Sequence, residues 1–345
     1  MRWWPRKKIN LALQGGGSHG AFSWGVLDRL LEERGIEFEG ISATSAGAMN
    51  AACVAHGLAS GGRDAARETL GVFWNRIADQ MPLEGAAVNL LGSDGENFAN
   101  GEISPTWKAF LRLTRALSPY QWNPFDINPL RDIVEKTFDF ERIRRCSEVK
   151  LFIAATEVRT GKLRLFCNQE LTADALLASA CLPSINQAII IDDRAYWDGG
   201  FVANPAISPL FYQCRSADVV IVLLNPLQRP DLPNTQEEIA HRVAELGFNS
   251  AFLREMRAIA YVKHHLAGTK VVLGRLGRRL RRLRFHMIEG DDLMVQLPHE
   301  SRMNIHRTFL EMLCDQGRQR ADRWLASNRR HLKKRSSIDL AALFM

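Results

Sequence analysis

The chain has 345 residues, is 46% hydrophobic and carries a net charge of +7 with a pI near 9.2, ample material for one large α/β domain. No apolar run approaches the roughly 20 residues of a membrane-spanning helix, and segment 1–8 leads into strand-like sequence rather than a signal-peptide core, so a cytoplasmic protein, at most peripheral at a membrane, is expected. The six cysteines (Cys53, Cys146, Cys167, Cys181, Cys214, Cys314) lie far apart without CxxC pairs or spaced histidines, which argues against a zinc site or disulfide framework, and no metal or cofactor is called for.

In chain order, Ile9-Asn10-Leu11-Ala12-Leu13 reads as a buried strand running into the loop Gln14-Gly15-Gly16-Gly17-Ser18-His19-Gly20. A helix follows, striped by Phe22, Val26, Leu27, Leu30 and Leu31. Gly15, Gly17 and Gly20 also fit a dinucleotide fingerprint, but that use needs an acid at the end of the second strand, and this one ends in Ala43-Thr44-Ser45. Three consecutive glycines suit another task, turning several backbone N–H groups towards one point, as an oxyanion hole requires. His19, at a loop-to-helix junction, reads as a solvated or packing residue.

The stretch Ala43-Thr44-Ser45-Ala46-Gly47 sits between an apolar strand and an Ala-rich helix. Small neighbours suit a strand-turn-helix elbow that lifts a nucleophilic serine clear of the sheet, at a helix N-terminus that favours negative charge. Ala43 replaces the first glycine of the G-x-S-x-G elbow pattern and lacks its freedom at positive φ. Helices are expected over 45–55 and 65–79. Residues 81–129 then break the pattern, mixing Gly, Pro and Asn with Leu90, Leu91, Phe98, Trp107, Phe110, Tyr120, Trp122 and Phe125. Such an insertion fits a lid or acyl-chain wall, or a packed surface excursion.

Beyond a helix over 132–138, strands at 150–157 and 162–166 flank Arg159-Thr160-Gly161 as a hairpin. A helix over 171–180 ends in Ala178-Ser179-Ala180-Cys181-Leu182-Pro183, and a strand at 188–191 turns through Asp192-Asp193 into Tyr196-Trp197-Asp198-Gly199-Gly200. Asp198 is thereby an exposed carboxylate on a tight turn. A buried strand over 219–226 and helices over 235–265 and 303–328 complete the pattern. Within 273–287, six arginines between Arg275 and Arg284 accompany Leu273, Leu276, Leu280, Leu283 and Met287 at helical spacing. This reads as a helix packed on its own domain or as a contact with an anionic membrane. Nucleic acid is the weakest partner, since no aromatic-interleaved basic platform accompanies the arginines. The expected organisation is a single domain over 6–330, with core 9–209, lid-like insertion 81–129, a helical C-terminal part 235–330 and a basic tail 331–345.

The ordered set of Gly15-Gly16-Gly17-Ser18-His19-Gly20, the Ser45 elbow and Asp198-Gly199-Gly200 resembles the patatin-like phospholipase family over roughly residues 9–209. The segment 178–183 also resembles the family's stretch upstream of its aspartate. The departures are Ala43 for glycine and His19 for a common Lys or Arg. The resemblance implies an α/β/α three-layer fold around a mainly parallel sheet and a Ser45–Asp198 dyad without histidine, with Gly15, Gly16 and Gly17 as the oxyanion hole. Ala43 and Gly47 would shape the elbow, and Gly199 and Gly200 the turn after the base. The implied activity is lipid acyl-ester hydrolysis of phospholipase A or lysophospholipase type, through an acyl-enzyme and with no metal or cofactor. Asp192 and Asp193 are rivals for the base that read better as turn formers. The alternatives are a Ser-Asp-His α/β-hydrolase using His264, His265 or His286, a catalytically silent membrane scaffold, and acyl transfer to an acceptor other than water.

Overall fold

The computed structural model describes residues 6–80, 117–268 and 274–345. The elements in chain order are β1 (Lys7–Leu13), α1 (Gly20–Glu32), β2 (Ile36–Thr44), α2 (Ala46–Gly61) and α3 (Arg63–Ala78). After the undescribed stretch come α4 (Pro119–Trp122), α5 (Pro129–Thr137), α6 (Phe140–Arg145), β3 (Lys150–Glu157), β4 (Leu163–Cys167), α7 (Ala173–Ser179), β5 (Ile189–Ile191) and β6 (Arg194–Asp198). Then follow α8 (Ser208–Gln213), β7 (Asp218–Val222), α9 (Gln236–Ala267), α10 (Arg275–Arg282), β8 (Arg284–Ile288), α11 (Asp291–Met294), α12 (Arg307–Asn328) and α13 (Leu340–Phe344).

The strands form one eight-stranded sheet, β5-β6-β3-β2-β1-β7-β8, with β4 also on β3. The pairs β1/β2, β1/β7, β2/β3 and β7/β8 are parallel, and β3/β4, β3/β6 and β5/β6 antiparallel, so the sheet is mixed and mostly parallel. Side chains that alternate along each strand divide into two apolar layers. Leu11, Leu13, Leu151, Ile153, Val220 and Val222 form the upper layer with α1, α2, α3 and α12, whereas Ala12, Phe152, Val219, Ile221 and Phe285 form the lower layer with α8, α9 and α13. The expected α/β/α fold, with helices on both faces, is therefore present.

The register of β3 explains how distant parts of the chain meet. Ala154 pairs with Thr44 of β2 and Leu165 of β4, while Ala155 pairs with Asp198 of β6 and Arg164 of β4. A strand has only two edges, so with β4 running along one, β2 and β6 must share the other, arriving from opposite directions. Thr44 and Asp198 thus occupy successive positions on one edge of β3, about 3.3 Å apart along the strand.

The sequence reading of 273–287 as one helix is corrected. The helix stops at Arg282, and Arg284–Ile288 is strand β8, parallel to β7. The leucines and Met287 that share a helical period straddle two elements, and Leu273 lies outside the described residues. Leu280 packs on the lower apolar layer, Leu283 is buried, and Arg279 donates to the carbonyls of Phe211, Cys214, Arg215 and Ser216. Of the 81–129 insertion, only the part from 117 onward is described; Leu90, Leu91, Phe98, Trp107 and Phe110 lie outside it.

Residues 331–345, read as a basic tail, are held by the domain. Leu340 and Phe344 are buried, with the Phe344 ring 6.0 Å from that of Phe252 on α9. Ser336 and Ser337 bond the Phe285 backbone, and the Lys333 N–H donates to Asp218. Among the described residues, no helix is long and apolar enough to cross a membrane.

Candidate active site

Ser45 follows directly on β2 and N-caps α2 with φ 55 and ψ −126, a conformation that L-residues rarely adopt. The chain thus turns from strand to helix at Ser45, and the backbone strain falls on the serine. Ala43 is an extended residue within β2, its methyl fully buried among the upper core. Positive φ is not needed there, so alanine fits the backbone where the elbow pattern has glycine. Gly47 does need its missing side chain, since a Cβ would lie 2.5 Å from the Leu13 carbonyl oxygen.

Several hydrogen bonds fix the elbow. The Ser45 N–H donates to Ser179 Oγ at 2.9 Å, and Thr44 Oγ1 donates to the Ala203 carbonyl at 2.7 Å. Asp198 stands at the end of β6, its own N–H bonded to the Cys181 carbonyl at 2.8 Å and its carbonyl accepting from Thr156 Oγ1 at 2.7 Å. Segment 178–183 thus ties the serine to the acid. Its resemblance signal was visible in the sequence, but the separate roles of Ser179 and Cys181 were not.

The tight turn does not expose Asp198 as its sequence suggests: packed at the end of β6 against β3, it is only 1% exposed. Burial pushes its pKa up to about 7, opposed by the Gly200 N–H, which donates to Oδ1 at 2.7 Å, and by the Ser45 hydroxyl. Oδ2 has no partner in ordinary hydrogen-bond geometry among the described residues, although Ser45 is close enough to favour the charged form. An acceptor with a free lone pair and a proton affinity near neutrality is what a general base needs. Gly199 and Gly200 are required by crowding: a Cβ would meet the Ala154 carbonyl oxygen at 2.3 Å or the Phe248 ring at 2.5 Å.

The glycine loop passes over the serine. A Cβ on Gly15 would lie 2.6 Å from Ser45 Cβ, and Gly17 has φ +59 with the Arg302 carbonyl where a side chain would go. The three glycine amides are not equivalent. The Gly15 N–H is taken by Asn204 Oδ1 at 2.7 Å, whereas those of Gly16 and Gly17 make no hydrogen bond with the described residues. This corrects the expectation of three oxyanion donors: Gly15 supplies close approach and the two that follow supply free N–H groups. Behind the loop, Gln14 donates to Asn204 O and Asn249 Oδ1 and accepts from the N–H groups of Leu224 and Asn225. Neither Gln14 nor Asn204 was singled out from the sequence, where a lone amide carries no pattern.

These groups line a cavity of about 590 Å³. Its walls include Met49, Phe73, Trp74, Ile77, Leu182 and Ile185, with Pro129 and Leu130 from the described end of the insertion. The Trp74 Nε1–H is spent on Asn50 Oδ1, leaving an apolar ring to the cavity.

The rival bases are elsewhere. Asp192 and Asp193 are exposed, with φ 48 and 60, at the β5–β6 turn. His286 lies between Asp218 (3.2 Å) and Ser337 (3.0 Å), an Asp-His-Ser arrangement, but its Nε2 and Nδ1 are both spent in the tail clasp. Burial works against the Asp218 charge, yet Arg284, His286 and the Lys333 N–H hold its carboxyl well below the usual carboxylate range. His264 and His265 lie sixteen residues or more beyond Phe248, the last α9 residue in the cavity wall, about 24 Å along the helix. His19 is buried; Ser301 Oγ gives its proton to the Pro298 carbonyl, so His19 Nε2 must donate to Ser301, at 2.7 Å.

The model of the patatin-like phospholipase family matches residues 11–211. Among solved structures, VipD from Legionella pneumophila is similar at 13% identity and a TM-score of 0.38, over 92% of this chain and 67% of that one. Two structures of the ExoU–SpcU complex from the type III secretion system of Pseudomonas aeruginosa are also similar. One is 14% identical, with a TM-score of 0.27 over 88% of this chain and 70% of that one, and the other 17%, with 0.29 over 99% and 75%. A comparison with curated proteins finds no match. The family match runs through more than half of the chain and contains the glycine loop, the serine elbow and the Asp-Gly-Gly turn in order, and the protein belongs to the patatin-like phospholipase family of lipid acyl hydrolases.

Proposed function

We propose that Ser45 and Asp198 are the dyad of a lipid acyl-ester hydrolase of phospholipase A or lysophospholipase type. The observation that carries this reading is the meeting of β2 and β6 on one edge of β3, which brings a strained serine and a buried acid into one apolar cavity. With Asp198 ionised, its Oδ2 takes the proton as Ser45 Oγ attacks the ester carbonyl. The Gly16 and Gly17 N–H groups hold the developing oxyanion, each worth on the order of 3 kcal/mol in the transition state. Asp198 then returns the proton to the departing alkoxide, leaving Ser45 acylated, and the same carboxylate deprotonates a water that releases the fatty acid.

The cavity wall, rather than 273–287, is the better membrane-facing surface. Helix α10 precedes β8 at the N-terminal end of the parallel strands, while Ser45 lies at their C-terminal end, so a bilayer against the arginines would not meet the cavity. On α9, whose His241, Ala244 and Phe248 line the cavity, Ile239 and Val243 are exposed, as is Ile127 just before α5. Apolar side chains so placed suit insertion into a bilayer interface.

The test is fluorophosphonate labelling together with product analysis by mass spectrometry after incubation with a mixed lipid extract. Labelling and fatty-acid release by the native chain, both lost in a folded Ser45→Ala variant, are expected. An unlabelled native chain would refute the reading.

A further inference from the structure

The cavity wall contains a cation that the dyad does not use. Arg302 lies in the turn between β8 and α12, with its backbone against the glycine loop; its carbonyl oxygen occupies the space beside Gly17. The buried His19–Ser301 hydrogen bond, one residue away, anchors this turn to the loop. Where a resemblance to the family would put a Lys or Arg at position 19, this chain has a histidine that holds a neighbouring arginine in place.

The Arg302 guanidinium is under-used. Nη2 donates to Asn225 Oδ1, and Nη1 has no partner among the described residues. Its nearest acid, Glu245, is already served by Arg229 at 2.8 and 3.0 Å and by Arg242 at 2.8 Å, leaving Arg302 in a loose contact at 3.9 Å. Arg229, Arg242 and Arg302 thus share the single carboxylate of Glu245, and of the three only Arg302 lines the cavity. The side chain is 17% exposed, which makes it a wall residue and not a sealed ion pair.

We propose that Arg302 and Asn225 form an anion subsite beside the glycine loop that takes the phosphate group of a phosphorylated acylglycerol while its ester carbonyl lies at Ser45. The geometry of the loop sets the span. Gly15 touches Ser45 and Gly17 touches the backbone of Arg302, a step of two residues covers about 7 Å at most, and the side chains of Ser45 and Arg302 line the same cavity. In a glycerophospholipid the phosphate is only a few bonds from the acyl ester, so one molecule reaches both. A guanidinium fork with unspent N–H groups matches phosphate oxygens in charge and shape, and Asn225 adds an amide that Arg302 orients. The inference rests on the Ser45 reading and adds to it a preference for phosphorylated over neutral esters.

The experiment compares kcat/KM for a lysophospholipid and for a monoacylglycerol with the same acyl chain, using the full-length native protein, Arg302→Met, Arg302→Lys and, as a surface-charge control, Arg278→Gln. The ratio of the two constants should fall roughly 10- to 100-fold in Arg302→Met, the loss of a charged hydrogen bond, recover in part in Arg302→Lys, and stay at the native value in Arg278→Gln. Inorganic phosphate should compete with the lysophospholipid, and less so in Arg302→Met. An unchanged ratio in Arg302→Met, or an equal fall for both substrates, overturns the proposal. So does phosphate inhibition without a preference for the phosphorylated substrate, which would assign the subsite to free phosphate. Absence of both turnover and fluorophosphonate labelling in the native protein would instead mark failure of the Ser45 reading, and this proposal would fall with it.

Discussion

Replacing Asp198 by Asn should slow turnover and stabilise the fold, by an amount that depends on pH. Burial raises the Asp198 carboxyl from 3.8 to about 7, so the native state binds its proton more tightly than the unfolded chain does. The sign follows from linkage: between these values the folded protein holds more protons, and stability falls as pH rises. Well below the unfolded value of 3.8 the carboxyl is neutral in both states and nothing is lost. By pH 8 the charged group weakens the fold by on the order of 4 kcal/mol, from about 1.4 kcal/mol per pKa unit. Asn keeps an oxygen for the Gly200 N–H and never charges. The stability gap between Asp198→Asn and the native protein, read by urea unfolding, should therefore widen by on the order of 3 kcal/mol between pH 5 and pH 8. The same substitution should lower kcat by a factor of about 100 to 10,000, the usual contribution of general-base catalysis. A gap that stays flat across this range would refute the view that a buried acid is held near neutrality for catalysis.

The acidic limb of native kcat/KM should have an apparent pKa near 7, because the base must be ionised; a limb near 4 would remove Asp198 from that role. Ser45→Gly should be about 1 kcal/mol more stable than Ser45→Ala in thermal unfolding, since φ 55 suits glycine and strains alanine. Ser179→Ala should cost about 1–3 kcal/mol, by leaving the Ser45 N–H without its acceptor, and should slow acylation of Ser45 by a fluorophosphonate. His286→Gln should leave turnover per folded molecule intact while exposing the C-terminal segment to proteolysis, and a loss of turnover comparable to that of Ser45→Ala would restore the triad alternative. Val243→Glu should weaken sedimentation with phospholipid vesicles more than Arg278→Gln does, and the reverse order would return membrane contact to α10.

Much of this site was legible in the sequence because its chemistry depends on local rules. A triple glycine after a strand, a serine between small residues and an acid before two glycines each declare a backbone shape within a few residues of themselves. Their meeting was not legible from pattern alone, since pairing of β6 with β3 beyond the end of β2 is a tertiary fact. The Gly15 amide was misread for the same reason, because its acceptor, Asn204, lies 189 residues away. In 273–287 a helical period continued into a strand by coincidence: Met287 is apolar because β8 is sheltered, not because a helix repeats. Arg302 had no signature at all, as a single arginine in a turn acquires meaning only from the loop it rests against.

The end-on approach of β2 and β6 also has a temporal consequence. A nascent chain that has emerged only as far as β4 already contains the glycine loop and the nucleophile, yet no proton acceptor stands beside it. On the proposed Ser45–Asp198 dyad, hydrolytic power is withheld until a pairing of high sequence separation has closed, a slow kind of event in folding. A lipid acyl hydrolase would, by this arrangement, be inert for most of its own synthesis.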